Sequence, residues 1–307
     1  MLRRFFLFLS RSKRMQRFVM SSRLTRRLVQ RFIAGNSLDE AVVSGRRLLD
    51  QGILLTMDHV GESVSTEAEA DAAAQEYHVM LDRIHAERLD STISIKPSQM
   101  GLVLDPAACG KRLEALVRKS TDLGLSVEID MEDSPYTQVT LDMYFGFLPL
   151  NRKLRVCLQS CLHRSVDDER RIIELGGSIR LVKGAYREPP EVAYQRKSQV
   201  DAKYAEMIDV GLTPAAASKG FYLAIASHDE KLVTHGREVA ARNGLNKDQL
   251  EFQFLYGIRT DLQLALARAG YRVRVYLPYG REWYPYFMRR LAERPANVLF
   301  LVKQLFR

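Results

Sequence analysis

Residues 178–184, SIRLVKG, form a short apolar run that ends in a lysine and a glycine, and seven comparable runs occur along the chain. Apolar runs of this length, bounded by turn residues, are typical of buried β-strands. The predicted strands occupy residues 53–60, 91–97, 125–132, 154–160, 178–184, 222–229, 251–257 and 273–280.

The segments between these strands are longer and repeat their apolar residues at spacings of three and four, as in residues 65–88 and 105–124. That spacing is typical of amphipathic helices. Eight strands alternating with helices over about 250 residues indicate a (β/α)8 TIM barrel, which we place at residues 49–307. An open, doubly wound sheet is the alternative, but no strand is followed by the G-x-G-x-x-G turn that binds dinucleotides in that fold.

The net charge of +9 is concentrated at the amino terminus. Residues 1–36 hold ten lysines and arginines and no aspartate or glutamate, and the rest of the chain holds 36 basic and 37 acidic residues. Because nucleic-acid binding usually needs a basic face on the folded domain, this distribution argues against a nucleic-acid partner.

Residues 1–48 are predicted to form a basic amphipathic helical arm, in which arginines alternate with phenylalanine and leucine. Its apolar run is too short to span a bilayer. A helix of this kind lies on anionic lipid, which predicts a cytoplasmic protein held peripherally at the inner face of the cell membrane. Two other interpretations stay open: a helix packed on the barrel with its arginines in water, and a mitochondrial transit peptide.

The chain has only three cysteines, Cys109, Cys157 and Cys161. A sparse, odd count argues against a disulfide framework and indicates a reducing compartment. Cys157, Cys161 and His163 have a loosely metal-like spacing, but no second cluster completes a tetrahedral site. We therefore predict buried thiols and no metal.

Polar residues cluster at one end of the predicted strands. The carboxyl ends of barrel strands form the mouth in which active sites are built. The polar residues near these ends are Asp58, Glu62, Lys96, Asp130, Glu132, Gln159, Arg180, Lys183, His228, Asp229, Gln253 and Tyr276.

Lys96 and Lys183 each raise the possibility of a Schiff-base aldolase, whose chemistry needs a lysine with a lowered pKa. Asp130, on the strand next to that of Lys96, would instead raise the pKa of this lysine. We therefore predict an ion pair between Lys96 and Asp130.

Residues 286–294, YFMRRLAER, place Arg289, Arg290 and Glu293 three and four positions apart, so that a helix would bring their polar ends together. A surface ion pair is one interpretation, and it is worth only about 0.3–0.5 kcal/mol. The other interpretation is a site for a zwitterion, with two guanidinium groups for its carboxylate.

The chain resembles the proline dehydrogenases, the flavin enzymes of proline catabolism, over nearly all of residues 52–294. The resemblance lies in the order of its motifs and in their positions at strand ends. These motifs are GES (61–63), SIKPSQMG (94–101), VEIDMED (127–133), RLVKGAY (180–186), ASHD (226–229), EFQFLYG (251–257), VYLPYG (275–280) and RRLAE (289–293). The length is similar to that of the short, monofunctional bacterial members.

The resemblance implies a distorted (β/α)8 barrel whose last helix caps the mouth, with FAD across the carboxyl ends of the strands. It implies active-site roles for Asp130 and Arg180, and a place beside the flavin for Arg180. The substrate-binding residues it implies are Lys96, Tyr276, Arg289, Arg290 and Glu293. The residues it implies around FAD are Met131, Gln159, Arg180, Lys183, Gly184, Ala185, Ser227 and His228.

The reaction implied by the resemblance is oxidation of L-proline to 1-pyrroline-5-carboxylate by hydride transfer to flavin N5, the first step of proline degradation to glutamate. A membrane quinone would receive the electrons, which agrees with a basic arm, and an oligomer is compatible with the sequence. The alternatives are the aldolase and a catalytically inactive barrel that binds the membrane surface.

Overall fold

Eight parallel strands close into a barrel in a computed structural model that describes residues 31–61 and 64–284. Each strand overlaps its predicted run and pairs with the next in the chain, and β8 pairs with β1. The strands are β1 (Leu54–His59), β2 (Ser91–Ile95), β3 (Val127–Ile129), β4 (Arg155–Gln159), β5 (Ser178–Val182), β6 (Tyr222–Ala226), β7 (Leu250–Leu255) and β8 (Arg272–Tyr279). The predicted (β/α)8 barrel is confirmed.

Helices cover the outside of the barrel. They are α1 (Leu38–Leu49), α2 (Glu67–Ala86), α3 (Pro106–Asp122), α4 (Thr137–Phe147), α5 (Ser165–Glu174), α6 (Lys197–Gly211), α7 (Pro214–Ser218), α8 (Glu230–Arg242) and α9 (Thr260–Arg268). Short 3-10 turns occupy Pro97–Met100 and Ser134–Tyr136. In the described part of the chain, no helix is long and apolar enough to cross a membrane.

Local sequence signals set where the helices begin. The Thr66 hydroxyl accepts the backbone N–H of Glu69 at 3.2 Å and starts α2. Asp105 accepts the N–H groups of Ala107 and Ala108 in the same way and starts α3. A side chain that satisfies the free N–H groups of a first turn contributes about 0.5–2 kcal/mol, so these residues fix how each helix leaves the preceding loop.

The segment before α1 runs along the carboxyl end of β8. The Ala34 N–H donates to the Pro278 carbonyl at 2.8 Å, and the Gly280 N–H donates to the Gly35 carbonyl at 3.0 Å. Ile33 is buried here. The described chain therefore begins at the rim on which the carboxyl ends of the strands lie.

Charged side chains fill the lower interior of the barrel, where most TIM barrels carry branched apolar residues. Arg155 Nη1 lies 2.6 Å from Glu128 Oε1 and 3.0 Å from Glu251 Oε1, and Arg274 Nε lies 2.8 Å from the same Glu251 oxygen. All four side chains are buried. Buried ions are tolerated when they are paired, and here two cations meet two anions. This interior was not predicted.

Glu169 on α5 is a buried carboxyl group of a different kind. It is fully buried, and neither of its oxygens has a hydrogen-bond partner among the described residues. The α6 residue Gly211 approaches it so closely that a Cβ there would lie 2.8 Å from Oε1. Burial raises the pKa of Glu169 well above its ordinary value, so the folded protein favours the protonated carboxyl.

Replacing Glu169 with glutamine should remove a pH-dependent loss of stability. Because the folded-state pKa is raised, the neutral carboxyl stabilises the fold fully below the unfolded pKa of about 4.3, and this stabilisation is lost as the pH rises. The loss is about 1.4 kcal/mol per pH unit. We expect the Glu169→Gln melting temperature, measured by circular dichroism, to exceed that of the parent by more at about pH 8 than at about pH 5.5.

The control is Glu174→Gln on the same helix, whose carboxylate is largely exposed and pairs with Lys219. That variant should differ from the parent by a similar amount at both pH values. Equal differences for Glu169→Gln as well would contradict a protonated Glu169.

Candidate active site

A cavity of about 840 Å³ lies at the carboxyl ends of the strands. Its lining includes every predicted site residue that the structure describes. These are Lys96, Asp130, Met131, Gln159, Arg180, Lys183, Gly184, Ala185, Ser227, His228 and Tyr276. Strand ends that are distant in sequence therefore meet in one pocket.

Three predicted substrate-binding residues, Arg289, Arg290 and Glu293, lie outside the described residues, as does Glu62. The final helix predicted to cap the mouth falls in the same part of the chain. Their interpretation as a carboxylate site stays a prediction from the sequence.

Arg180 connects the floor of the pocket to the interior of the barrel. Its Nη1 donates to Asp130 Oδ1 at 2.5 Å and its Nε to Gln253 Oε1 at 2.7 Å, while Nη2 contacts Glu128 Oε2. Burial lowers the pKa of Arg180 to about 10, which leaves the guanidinium charged at neutral pH. With three of its nitrogens engaged, this group is held in one orientation.

Lys96 follows β2 and points its ammonium group into a set of oxygens. Its Nζ lies 2.9 Å from Asp58 Oδ1, 3.1 Å from the Tyr276 hydroxyl and 3.4 Å from Asp130 Oδ2. The predicted ion pair with Asp130 is present, and the shorter contact is to Asp58. Burial opposes the charge of Lys96, but Asp58 and Asp130 outweigh it and hold the pKa of this lysine well above its ordinary value.

A Schiff-base role for Lys96 is incompatible with this environment. Nucleophilic lysines need a neutral amine near physiological pH, which comes from burial without a counter-ion or from a second cation nearby. Two carboxylates surround this one.

Tyr276 on β8 stands between the two charged groups. Its hydroxyl accepts from Lys96 and lies 3.4 Å from Asp130 Oδ2. The Arg180 guanidinium carbon lies 5.4 Å from its ring centroid. The ring thus presents an apolar surface in a strongly polar part of the pocket.

The opposite side of the pocket is built from backbone and amide groups. Gln159 at the end of β4 donates to the Glu132 carbonyl at 2.7 Å. The Glu132 carboxylate in turn accepts from the Ser98 N–H at 2.7 Å, which fixes the turn after β2. Gly184 has φ +103°, and a Cβ there would lie 2.3 Å from Cys161 Sγ, so this backbone needs glycine.

Lys183 and His228 organise the far rim. Lys183 Nζ lies 2.6 Å from Asp201 and 2.9 Å from Asp229, and this hydrogen bond holds the pKa of Asp229 below its ordinary value. The backbone N–H of Leu255 donates to His228 Nε2 at 3.0 Å. The Ser227 hydroxyl accepts the N–H of Asp229 at 3.1 Å. These contacts tie the ends of β5, β6 and β7 together.

The structure also gives contacts in the site to Asp58, Tyr77 and Glu128, to which sequence reasoning gave no specific role. Asp58 was expected only as one of the polar residues near the mouth, and a signal for Glu128 was present. Charged residues two positions apart in an apolar strand, such as Glu128 and Asp130 in VEIDME, point to the same side of the strand and so indicate a polar interior. No comparable signal marks Tyr77, which lies in the apolar stripe of α2.

The chain as a whole is similar to known proteins. Residues 41–303 match the family model for proline dehydrogenase. The chain is 37% identical to proline dehydrogenase 1 of Bacillus subtilis subsp. natto over the full length of both proteins. It is also 37% identical to the proline dehydrogenase of Deinococcus radiodurans, across 91% of this chain and 90% of that one.

Solved structures agree on the fold. Proline utilization A from Bdellovibrio bacteriovorus, solved after inactivation by N-propargylglycine, superposes with a TM-score of 0.80 at 24% identity. The match covers 87% of this chain and 32% of that one, so this chain spans about a third of the longer protein. At this identity the likeness shows the barrel alone.

The fold, the pocket at its mouth and full-length similarity to these relatives lead to one conclusion. The chain belongs to the proline dehydrogenase family, oxidoreductases that act on the CH–NH group of proline.

Proposed function

We propose that this enzyme oxidises L-proline to 1-pyrroline-5-carboxylate with FAD as its cofactor and passes the electrons to a membrane quinone. The observation that carries the proposal is the mouth cavity, in which fixed cations, a tyrosine ring and a glycine-backed wall occur together. Family membership supports the substrate. The cofactor, product and acceptor rest on the resemblance of the motifs.

The pocket suits a large cofactor. Its volume of about 840 Å³ lies near the upper end of the range for ligand sites, about 300–1,000 Å³. Gly184 lines the cavity after β5, and a Cβ there would collide with Cys161 and crowd Gln159, so this part of the wall keeps its shape only with glycine. The residues that would hold FAD are Met131, Gln159, Arg180, Lys183, Gly184, Ala185, Ser227 and His228, and bound FAD supplies the acceptor for the hydride that leaves proline.

The substrate end of the proposed site has to hold a small zwitterion. Arg289 and Arg290 would bind its carboxylate through charge-assisted hydrogen bonds, and Glu293 would pair with one of them. The Tyr276 ring would cover the methylene groups.

The proline amine must be neutral when the hydride leaves. A pocket that excludes water and carries the fixed cations Lys96 and Arg180 favours loss of the amine proton. Asp130 holds both cations by its two oxygens, and it therefore sets their positions relative to a bound substrate. We propose Asp130 and Arg180 as the active-site pair on this basis.

We also propose that residues 1–48 attach the enzyme to the inner face of the cell membrane. Ala34 and Gly35 of this arm lie along the carboxyl end of β8, at the rim of the pocket. A basic segment joined to the barrel there would bring the pocket close to an anionic lipid surface, where a quinone acceptor is dissolved.

Proline should bleach the flavin absorbance of the purified enzyme under anaerobic conditions, as measured by the visible absorption spectrum before and after its addition.

Arg289→Ala and Arg290→Ala should each raise the KM for proline. Loss of hydrogen bonds between charged groups costs about 1.5–3 kcal/mol, which corresponds to an increase of about 10- to 100-fold. The measurement is steady-state reduction of an artificial electron acceptor at varied proline concentration.

Arg268→Ala is the matched control, because Arg268 is an exposed arginine at the end of α9. It should leave the KM unchanged. A colourless protein that takes up no FAD would contradict the proposed function. An unchanged KM in both arginine variants would contradict the proposed carboxylate site.

Gly184→Ala should weaken FAD binding. An alanine methyl at this φ of +103° would collide with Cys161 and lie 3.1 Å from Gln159 Oε1, so the wall of the pocket must shift. We expect the flavin-to-protein ratio after extended dialysis, read from absorbance, to fall severalfold.

Gly244→Ala provides the comparison. Gly244 also has a positive φ, +67°, but no atom lies within 4 Å of a Cβ there. Both variants carry the backbone strain of about 1–2 kcal/mol, and only Gly184→Ala disturbs the pocket. Equal loss of flavin in the two variants would argue against a cofactor at this wall.

The triple variant Arg3→Glu, Arg4→Glu and Arg11→Glu should bind less tightly to vesicles that contain anionic lipid. Each basic residue near such a surface contributes about 1 kcal/mol, so we expect affinity to fall by about tenfold or more. Cosedimentation with anionic and with neutral vesicles measures the effect. The control is glutamate substitution of Lys111, Lys153 and Arg268, which are exposed on the barrel, and it should change vesicle binding little. Equal losses of binding in the two triple variants would refute a role for the arm.

A further inference from the structure

Asp58 lies behind Lys96 and outside the lining of the pocket. It is the fifth residue of β1, its side chain is fully buried, and it pairs in register with Pro278 of β8. Lys96, Asp130 and Tyr276 line the cavity, whereas Asp58 does not. Asp58 can therefore act on a bound substrate only through its neighbours.

Lys96 and Tyr77 both approach one oxygen of Asp58. Lys96 Nζ donates to Oδ1 at 2.9 Å, and the Tyr77 hydroxyl lies 3.2 Å from the same atom and 3.1 Å from Gln99 Oε1, so its one proton has two acceptors within reach. The other oxygen, Oδ2, is buried without a hydrogen-bond partner among the described residues. A buried carboxylate with so few partners is costly unless a cation compensates it, and Lys96 is the cation in contact.

The direction of the hydrogen bonds follows from this arrangement. A protonated lysine has only donors, so Lys96 donates to Asp58 and to the Tyr276 hydroxyl. The Tyr276 hydroxyl therefore donates its own proton to a different acceptor, and Asp130 Oδ2 lies 3.4 Å away. A chain of donors thus runs from Lys96 through Tyr276 to Asp130, and it starts from an ammonium group that Asp58 holds in place.

We propose that Asp58 is a positioning residue of the active site, which holds the Lys96 ammonium in place and directs it at Tyr276 and Asp130. This inference rests on the proposed function. Other charged and titratable groups also act on the Lys96 ammonium, so the effect of Asp58 adds to theirs. They are Tyr77 on α2, Asp130 on β3, Glu132 and Tyr186 in the loops after β3 and β5, Arg180 on β5, and Tyr276 on β8.

Asp58→Asn tests the inference, because it keeps the shape of the side chain and removes its charge. Without this carboxylate the Lys96 ammonium loses its nearest partner and can turn away from Tyr276 and Asp130. We expect kcat/KM for proline to fall by about tenfold or more, and Asp58→Glu, which keeps the charge, to recover part of that loss. Glu169→Gln, a substitution of another buried carboxyl outside the pocket, should leave kcat/KM unchanged.

A double-variant cycle with Lys96→Met supplies a second readout, which stays informative if Asp58→Asn alone is too unstable to assay. If Asp58 acts through Lys96, the double variant should lose no more kcat/KM than Lys96→Met does. Its melting temperature should exceed that of Lys96→Met, because Asp58 is then not left as a buried carboxylate without its cation.

An unchanged kcat/KM in Asp58→Asn, or effects of the two substitutions that simply add in the cycle, would overturn the inference while leaving the proposed function intact. Absence of proline turnover in the unmodified enzyme would overturn both.

Discussion

The contacts of Arg180 with Asp130 and Glu128 join the pocket at the mouth of the barrel to the layer of ion pairs in its interior. One end of the guanidinium group reaches the floor of the pocket, and the other reaches the interior layer of Glu128, Arg155, Glu251 and Arg274. A buried cation requires such partners, because an unpaired charge in the interior costs several kcal/mol. The position of a pocket residue is therefore coupled to the charge balance of the whole interior.

That balance extends to the mouth of the barrel. In the described part of the chain, the ion pairs that run from the interior to the pocket floor join four basic side chains, Lys96, Arg155, Arg180 and Arg274, to four acidic ones, Asp58, Glu128, Asp130 and Glu251. An isostere of a different charge at any one of them leaves an opposite charge uncompensated. The arrangement contributes less to net stability than apolar packing would, but it fixes the direction of each polar group before a ligand binds.

Fixed groups of this kind suit the oxidation of an amine. In the proposed reaction a hydride leaves carbon and the nitrogen must be uncharged, so fixed cations in the pocket would favour the reactive form of the substrate. The same charges disfavour a nucleophilic lysine, since Asp58 and Asp130 keep Lys96 protonated. The neighbouring carboxylates thus make Lys96 a fixed cation and disfavour its use as a nucleophile.

The sequence by itself determined the number and order of the strands, because an apolar run between turn residues has few alternatives to a buried strand. It also placed the polar residues of SIKPSQMG and RLVKGAY at strand ends, where the parallel arrangement brings them to one face. Of the partners of those residues it predicted only one, Asp130 for Lys96. Asp58 and Lys96 are 38 positions apart, and Glu128 and Arg180 are 52 apart. Which carboxylate meets which cation depends on the register and closure of the barrel, and burial then sets the strength of each pair. Only the tertiary structure decided that Lys96 contacts Asp58 more closely than Asp130, and that ions fill an interior where branched apolar side chains are usual.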